Sequence, residues 1–301
     1  SQLIEEYAKF IFDSALYYSE LNLRISQELK DDYMQITTQI KLAEIMAKSG
    51  MYKEAWDILQ SIHRKSISHD LLPEYYKAYV KLYSNLSFYA KINVNKTAYQ
   101  EKNKRYSDSL LAILNKNSED YLVVIETRLR DSRDMEACME VNTQRMSMVK
   151  MGSEEYSMIT FERAINYRLM ENIQEMKKYF ILSAISDIKN SVKDNASLAA
   201  LAEVLFQEGK LELAHEFISF SYEDAVYFNS RLRFSEISSI LPIIESTYQL
   251  KIAKKQKALL LSFILISVLF IGLIFALLRL RKQMKNLAKT QKELKISNNQ
   301  L

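Results

Sequence analysis

The sequence has few of the residues that bend a chain, with four Gly and two Pro among 301 residues. An all-β protein needs turn residues every ~8–12 positions, so this scarcity argues against a β-sandwich or a β-barrel. It also argues against a doubly wound enzyme, whose phosphate-binding loops are rich in glycine. Apolar residues make up 48% of the chain, which is enough for an ordinary core. We therefore predict an all-α fold.

Residues that carry catalysis or bind metals are also sparse. The single cysteine, Cys138, can form no internal disulfide, and its position in "MEACMEV" favours a buried thiol over a redox role. The three histidines, His63, His69 and His215, have no Cys or His partner at metal-ligand spacing. The sequence contains no glycine-rich phosphate loop, nucleophile elbow or kinase signature. We predict no catalytic, cofactor-binding or metal-binding residues, and a binding or scaffolding protein rather than an enzyme.

The positive net charge of the chain is confined to its C-terminal end. Residues 251–301 contain eleven Lys or Arg and one acid, Glu293, which leaves thirty basic and thirty-six acidic residues in the first 250. Because binding to a phosphate backbone needs a basic surface, we do not expect residues 1–301 to contact nucleic acid. The basic residues instead flank an apolar run, where anionic lipid headgroups would lie.

That apolar run extends from Ala258 to Leu278 without a charged residue. An α-helix rises ~1.5 Å per residue, so the run spans roughly 31 Å, which matches a hydrocarbon core of about 30 Å. Its apolar residues leave no wide polar face, which a surface helix of a soluble protein would show. We predict a transmembrane helix over residues 258–278, in contact with the lipid bilayer, rather than a buried core helix.

The distribution of basic residues predicts the orientation of this helix. Four Lys precede the apolar run and seven Lys or Arg follow it. Because Lys and Arg accumulate on the cytoplasmic side, we predict a single-pass protein of the inner membrane with a cytoplasmic C-terminus and a periplasmic N-terminal domain. Such a domain needs a signal to cross the membrane, so we expect residues upstream of Ser1 in the natural protein.

Two segments of the N-terminal part share one pattern in register. The segment "LAEIMAKSGMYKEAWDILQSI" begins at Leu42, and "LAEVLFQEGKLELAHEFISFS" begins at Leu201. Each has apolar helical residues, a Gly at a turn and an Ala five residues later, which resembles the tetratricopeptide repeat, a pair of closely packed helices. The residues predicted to pack these repeats are Leu42, Ala43, Gly50, Tyr52 and Ala55 in the first, and Leu201, Ala202, Gly209, Ala214 and Ile218 in the second.

Weaker units lie between these two repeats. One of them places Ala164, Met176 and Phe180 at matching positions, although Glu171 stands where the turn Gly would be. We expect about six helix pairs over residues 1–228. Since one repeat cannot bury its apolar face alone, the pairs should stack into a curved solenoid. The groove of such a solenoid would bind a protein or peptide ligand.

The repeat pattern stops after residue 228. We predict one connecting helix over residues 229–257, continuous with the membrane segment. Pro242 removes a backbone donor and should kink this helix. The connection would couple the last repeat mechanically to the transmembrane helix.

The tail over residues 279–301 has a heptad pattern that favours a short parallel coiled coil. Leucine occupies every d position, and polar residues occupy two a positions, which would place two copies of the tail in a homodimer. A solvated amphipathic helix is the alternative, because fewer than three heptads are present. The predicted contact residues are Met284, Leu287, Leu294, Asn298 and Leu301. No helix stop signal occurs at Leu301, so we expect the natural protein to continue.

Together these features resemble a bacterial family of membrane-anchored tetratricopeptide-repeat sensors and regulators. The resemblance is carried by the two repeat units, by "FILSAISDIKNSVKDNASLAALAEVLFQEGKLELAHEFI" and by "SRLRFSEISSILPIIESTYQ", which leads into the membrane segment. Members combine an extracytoplasmic repeat array, one transmembrane helix, a short coiled coil and a cytoplasmic output domain such as a helix-turn-helix domain or a histidine kinase.

The resemblance implies a sensor for a protein, peptide or glycan-related partner, with transcriptional regulation as the expected output. Two alternatives remain open from the sequence. One is a tail-anchored docking receptor with its repeats in the cytoplasm, and the other is an envelope-complex scaffold without a signalling output.

Overall fold

The computed structural model describes residues 2–9, 11–193 and 196–298. Within these ranges every regular element is helical, which confirms the predicted all-α fold. Two short 3₁₀ turns, Arg64–Ser66 and His69–Leu71, precede α5. The α-helices are α1 (Gln2–Tyr7), α2 (Phe12–Leu29), α3 (Asp32–Lys48), α4 (Tyr52–Ser61), α5 (Leu72–Tyr89), α6 (Asn93–Leu111), α7 (Glu119–Asp131), α8 (Met135–Ser147), α9 (Glu154–Leu169), α10 (Ile173–Lys189), α11 (Ser197–Gln207), α12 (Leu211–Phe228), α13 (Arg231–Ile237) and α14 (Leu241–Asn298).

The helices from α1 to α12 pack as six consecutive hairpins, the number of pairs predicted for the repeat array. Side-chain caps fix where several of them begin. Asp31, Ser118, Asp134, Ser153 and Asn172 each accept a hydrogen bond from the backbone N–H three residues further on. Each such cap contributes about 1 kcal/mol, because it satisfies a donor that the helix leaves unpaired.

The turns inside four of the hairpins share one backbone geometry. Gly50 and Gly209 have φ of 87° and 75°, and Arg133 and Glu171 occupy the same place with φ of 63° and 59°. In each turn the N–H of the following residue bonds a carbonyl five residues earlier, as in Lys210 N–H to Leu205 C=O at 2.9 Å. The two glycines adopt this left-handed conformation at no steric cost, whereas Arg133 and Glu171 do so under strain.

The first repeats are filled by aliphatic and tyrosine side chains. Tyr79 stacks on Tyr106 with ring centroids 4.1 Å apart, and Tyr83 stacks on both at 5.8 to 5.9 Å. Tyr79 is 1% exposed. These rings lie between α5 and α6, so they serve as packing groups in the way that aromatic residues commonly fill gaps between stacked helices.

The connection after α12 differs from the single kinked helix predicted for residues 229–257. Helix α13 ends at Ile237, and α14 begins at Leu241, so Pro242 is the second residue of a new helix instead of a kink in an old one. A proline ring inside a helix clashes with the carbonyl four residues earlier, whereas the first turn needs no proline N–H. The chain therefore ends one helix and starts another.

The chain divides into two compact units, Ser1–Ile244 and Glu245–Leu301. The first unit contains α1 to α13 and the first turn of α14, where Ile244 is fully buried. The second unit contains the rest of α14, a helix with an 18-residue window of mean hydropathy 3.0 that is not buried. By length and composition, this is the one helix among the described residues that could cross a membrane.

The predicted coiled-coil residues lie on the last part of α14. Met284, Leu287 and Leu294 are 72%, 63% and 62% exposed in the single chain. Asn298 is the last residue of the helix, and Leu301 lies outside the described residues. Pairing of two tails through this stripe stays a prediction.

Candidate functional site

The repeat array closes on itself, which an ordinary solenoid does not do. In an open solenoid each repeat contacts only its neighbours along the chain. Here the Leu232 N–H of α13 donates to the Ser49 carbonyl at the end of α3, with N and O 3.3 Å apart. The Tyr89 hydroxyl at the end of α5 donates to the Glu236 carboxylate of α13. We call these contacts, together with that of Gly50, the clasp.

Gly50 allows α13 to approach this closely. A Cβ atom at Gly50 would lie 3.1 Å from the Leu232 backbone nitrogen and 3.5 Å from its Cβ. The first distance is tighter than an ordinary van der Waals contact, so a side chain would push α13 away. Because Gly50 has no side chain, it can adopt the left-handed turn and also lets α13 approach closely enough to close the array.

Further contacts between distant parts of the chain support the clasp. Phe228, at the end of α12, belongs to the buried core of the first repeats. The Asn229 side-chain amide donates to Asp13 Oδ1 at 3.3 Å, between residues 216 positions apart. The Lys193 N–H donates to the Lys9 carbonyl at 3.0 Å. The first and last repeats are thus joined at several points.

The closed array forms a pocket of about 240 Å³ that is partly open to solvent, which we call the ring cavity. Its wall combines α3, α5, α9, α10, α13 and the start of α11, so residues far apart in the sequence face a common space. The lining residues are Lys48, Lys81, Asn85, Glu154, Ser157, Met158, Phe161, Glu162, Ser183, Asp187, Val192, Ala196, Ser197, Leu232 and Arg233.

A cluster of hydroxyls and one carboxyl forms the buried side of the ring cavity. Ser157 Oγ of α9 donates to Asp187 Oδ1 of α10 and lies 3.1 Å from Ser183 Oγ, one helical turn before Asp187. Ser183 Oγ lies 2.6 Å from Ser197 Oγ at the start of α11. Asp187 is 7% exposed and the serines 1% to 2%. Hydrogen bonding within the cluster lets these polar groups be buried.

Burial raises the pKa of Asp187 to about 6, while the hydrogen bond from Ser157 and the charges of Lys48 and Arg233 lower it. The nearby Glu154 raises this pKa further. Burial therefore outweighs the favourable interactions, and the ionised carboxyl of Asp187 is incompletely compensated at neutral pH. Such a group at the wall of a cavity is a candidate for contact with a ligand.

A buried ion network lies behind another wall residue, Glu162. The Arg145 guanidinium, 1% exposed, donates to the carboxylates of Glu119, Glu126 and Glu162. Glu126 is fully buried and accepts a further hydrogen bond from Arg130 at 2.8 Å. Buried charges are stable only when they are paired and hydrogen-bonded, so this network holds the Glu162 side chain in place at the wall.

The repeat-packing residues predicted from the sequence do not line the ring cavity. Gly50 also contacts α13, whereas a Cβ atom at Gly209 would meet nothing within 4 Å. Tyr52 is partly buried and stacks on Tyr89, with ring centroids 6.3 Å apart. The buried members are Leu42, Ala43, Ala55, Leu201, Ala202, Ala214 and Ile218.

Sequence reasoning missed the residues of the ring cavity. Ser157, Ser183, Asp187 and Arg233 are polar residues on amphipathic helices, and such residues are usually solvated. Ser157, Ser183 and Asp187 are buried where α9, α10 and α11 pack together, and Arg233 reaches the wall through the closure of the array. No local pattern encodes either arrangement. The spacing of Ser183 and Asp187, four residues apart, places both on one helix face and was the available signal.

The groups considered for chemistry from the sequence do not converge. Cys138 is fully buried, and burial raises the pKa of its thiol to about 11, so it stays protonated. Among the described residues, no group of three or more His, Cys, Asp or Glu side chains could hold a metal ion.

Comparison with known proteins places the repeat array in a family. No curated protein matches the chain. The family model described as the SusR N-terminal TPR domain matches residues 1–239, which covers α1 to α13. The match begins with the first repeat and ends just before α14, so it contains both the clasp and the ring cavity. The chain belongs to the SusR N-terminal TPR domain family.

Proposed function

We propose that the chain is a membrane-anchored sensor, in which the repeat array binds a ligand outside the cytoplasm and transmits its occupancy through the membrane helix to a cytoplasmic output. One observation carries this proposal. Helix α13 supplies Leu232 and Arg233 to the wall of the ring cavity, and it also forms the clasp. A ligand in the cavity therefore contacts the element that precedes α14 by three residues.

The transmission step follows from the clasp. An array whose ends touch has two alternative states, closed and open, and a ligand that contacts both sides of the closure favours one of them. The covalent connection from α13 into α14 would carry that difference to the segment beyond residue 278. Transcriptional regulation is the output that the family resemblance implies.

The volume of the ring cavity also limits the size of the ligand that it could bind. At about 240 Å³ it is smaller than the pockets of roughly 300 to 1,000 Å³ that hold drug-sized ligands. A folded protein or a long peptide does not fit this space while the clasp is closed. Within the proposed protein, peptide or glycan-related partners, the cavity favours a small molecule or the end of a larger one.

A first experiment tests the coupling between the clasp and the tail. Cysteine replaces Leu287, and disulfide-linked dimers are measured in membranes that contain the chain. Glu236→Gln weakens the bond from Tyr89, and Glu223→Gln on an exposed part of α12 is the matched control. We expect Glu236→Gln to change the crosslinked fraction at least twofold and Glu223→Gln to leave it unchanged.

Identical crosslinking in both variants would contradict the coupling and favour a scaffold. A second cysteine, in place of Lys285 on another face of the tail helix, checks which face forms the predicted coiled-coil contact. Because one helical face meets the partner in a coiled coil, residue 287 should crosslink well and residue 285 poorly. Absence of crosslinking at both positions would leave a monomeric anchor, and hydrogen exchange of the Leu232 N–H would then report the state of the clasp.

A second experiment tests the topology. Reporter fusions at Asn95, in α6, and at Asn298 should report an extracytoplasmic and a cytoplasmic location respectively. A reporter that is active in the cytoplasm at Asn95 would reverse the orientation and support the tail-anchored docking receptor.

A further inference from the structure

A larger groove lies between the third and fourth hairpins and is lined by different residues from the ring cavity. It is open to solvent, has a volume of about 830 Å³ and is bordered by α5 and α6 on one side and by the end of α7 on the other. We call it the basic groove. Among its described lining residues, Lys96, Lys104, Arg128 and Arg133 are basic, and Asp131 alone is acidic.

The charge of the basic groove differs in sign from that of the array as a whole. The first 250 residues contain thirty basic and thirty-six acidic residues. Residues 91–105, which form the turn before α6 and most of that helix, contain five Lys or Arg and one acid, Glu101. An acidic partner would therefore be attracted to this groove and repelled by the net charge of the rest of the array.

Three of the four basic side chains in the groove are available to an outside partner. Arg128 pairs with Asp108, with Nη2 and Oδ1 2.6 Å apart. Lys96, Lys104 and Arg133 are exposed and form no ion pair within the part of the chain that the structure describes. Their charges can thus meet carboxylates of a partner without first breaking an internal ion pair.

One side of the groove is a polar face of α6. Lys96, Gln100, Asn103 and Ser107 line the groove at spacings of three and four residues, which places them on one face of the helix. Ser107 is 4% exposed, and the Asn103 side-chain amide donates to the Val80 carbonyl at 2.8 Å, so this face is anchored to α5. Over these residues α6 extends about 17 Å, which is the length of about five residues of an extended peptide.

Large apolar side chains are exposed at the same end of α6. Phe88 lines the groove and is 76% exposed, and Ile92 and Val94, at the turn that follows, are 63% and 77% exposed. Exposed apolar surface beside polar residues is typical of an interaction site. A peptide can offer carboxylates and an apolar side chain together. An acidic polysaccharide has no such side chain, and a flat lipid surface does not enter a concave groove.

We propose that the basic groove binds a short acidic peptide segment of a partner protein, with carboxylates at Lys96, Lys104 and Arg133 and an apolar side chain against Phe88. This inference concerns a surface separate from the ring cavity, and it does not depend on the proposed sensing function.

Fluorescence anisotropy tests the proposal on the 301-residue chain, reconstituted in nanodiscs of phosphatidylcholine. The probe is a labelled, acetylated peptide amide with the sequence Glu-Glu-Leu-Glu-Glu. One comparison peptide has Gln in place of every Glu, and another has Ser in place of Leu. We expect the acidic peptide to bind about tenfold more tightly than the Gln peptide, the effect of a few exposed ion pairs, and to lose this advantage at high salt. The Ser peptide should bind more weakly than the Leu peptide.

Two double variants with an equal loss of charge locate the site. Lys96→Gln with Lys104→Gln removes two charges from the groove and should weaken binding of the acidic peptide about fivefold. Lys102→Gln with Arg105→Gln removes two charges from exposed positions of α6 outside the groove, and this matched control should leave binding unchanged. Phe88→Ser should abolish the preference for Leu over Ser in the peptide. Thermal melting of each variant confirms that the repeats are folded.

Several outcomes would overturn the assignment. Equal weakening by the two double variants would mean that the peptide responds to total charge and not to the groove. Equal binding of the acidic and Gln peptides, or no binding of either, would also contradict it. Binding of heparin or of phosphatidylglycerol vesicles that the groove variant abolishes, while no acidic peptide binds, would assign the groove to a polysaccharide or a membrane instead. The crosslinking test of clasp and tail is independent of all these results.

Discussion

The repeat α3–α4 and the repeat α11–α12 share a sequence pattern but not an environment. Both contain "LAE", both place a glycine with positive φ at the turn, and both bury an alanine five residues later. At Gly50 the backbone of Leu232 lies within van der Waals distance of the place that a side chain would occupy, whereas the corresponding space at Gly209 is open. The same motif thus forms a clasp at one end of the array and an ordinary exposed turn near the other.

This difference separates what a repeat motif encodes from what it does not. The apolar spacing and the turn glycine specify a helical hairpin, which forms in both places. The contact with α13 depends on how many repeats stack and how tightly they curve, and these are properties of the whole array. A repeated local pattern can therefore carry a second, non-local role in one of its copies.

The largest expected effect is common to both repeats. Ala55 and Ala214 are fully buried, so Ala55→Glu and Ala214→Glu would each place a carboxylate between packed helices, at a cost of several kcal/mol. We expect both variants to lose most of their thermal stability in the purified chain. Leu213→Glu, at a position 45% exposed, is the control and should melt close to the unmodified chain. A normal melting temperature for Ala55→Glu or Ala214→Glu would mean that the repeat register is wrong.

A smaller effect should distinguish the two glycines. Gly209→Ala forces a side chain into left-handed backbone and should cost about 1 kcal/mol. Gly50→Ala carries the same strain and also presses on the Leu232 backbone. It should therefore lower the free energy of unfolding in denaturant by more than Gly209→Ala does. It should also speed hydrogen exchange of the Leu232 N–H. Equal losses of stability in the two variants would show that the clasp contact contributes nothing. Gly50→Val should extend the same trend.

The smallest effect concerns the side chains of the clasp. Tyr89→Phe removes the hydroxyl that donates to the Glu236 carboxylate, a bond to a charged group worth roughly 1.5 to 3 kcal/mol when buried and less at this partly exposed site. Tyr227→Phe, at a position 58% exposed on α12, serves as control. Denaturant unfolding should separate the two variants. Equal denaturant midpoints for the two variants would mean that the Tyr89 hydroxyl does not stabilise the closed array.

Much of the hairpin architecture could be predicted because its signals are local. The pairing of helices follows from apolar spacing, and the long apolar helix follows from residues 258–278. The break before α14 could also have been inferred, since Pro242 is tolerated in a first turn and not in a helix interior. The left-handed turn at Glu171 was harder to predict, because a non-glycine residue in such a turn leaves no sequence signal.

The ring cavity and the ion network could not be predicted from one sequence. Arg145 is 26 or fewer positions from its partners and Glu126 is up to 40 positions from its own, yet charged residues on helices normally face water. Arg233 reaches the wall because the array closes. The ring cavity and the ion network both depend on contacts between repeats. The apolar periodicity of a single helix does not determine the geometry of those contacts.

Closure of the array also changes how the chain should fold and unfold. An open stack of repeats can begin folding anywhere and can lose its terminal repeats first. Here contacts such as that of Asn229 with Asp13 join residues 216 positions apart, so the last contacts to form close a very long loop. Folding should accordingly be slower than for an open stack of the same length. The terminal repeats hold each other in place, and heating should release them together in one cooperative step instead of by fraying from the ends.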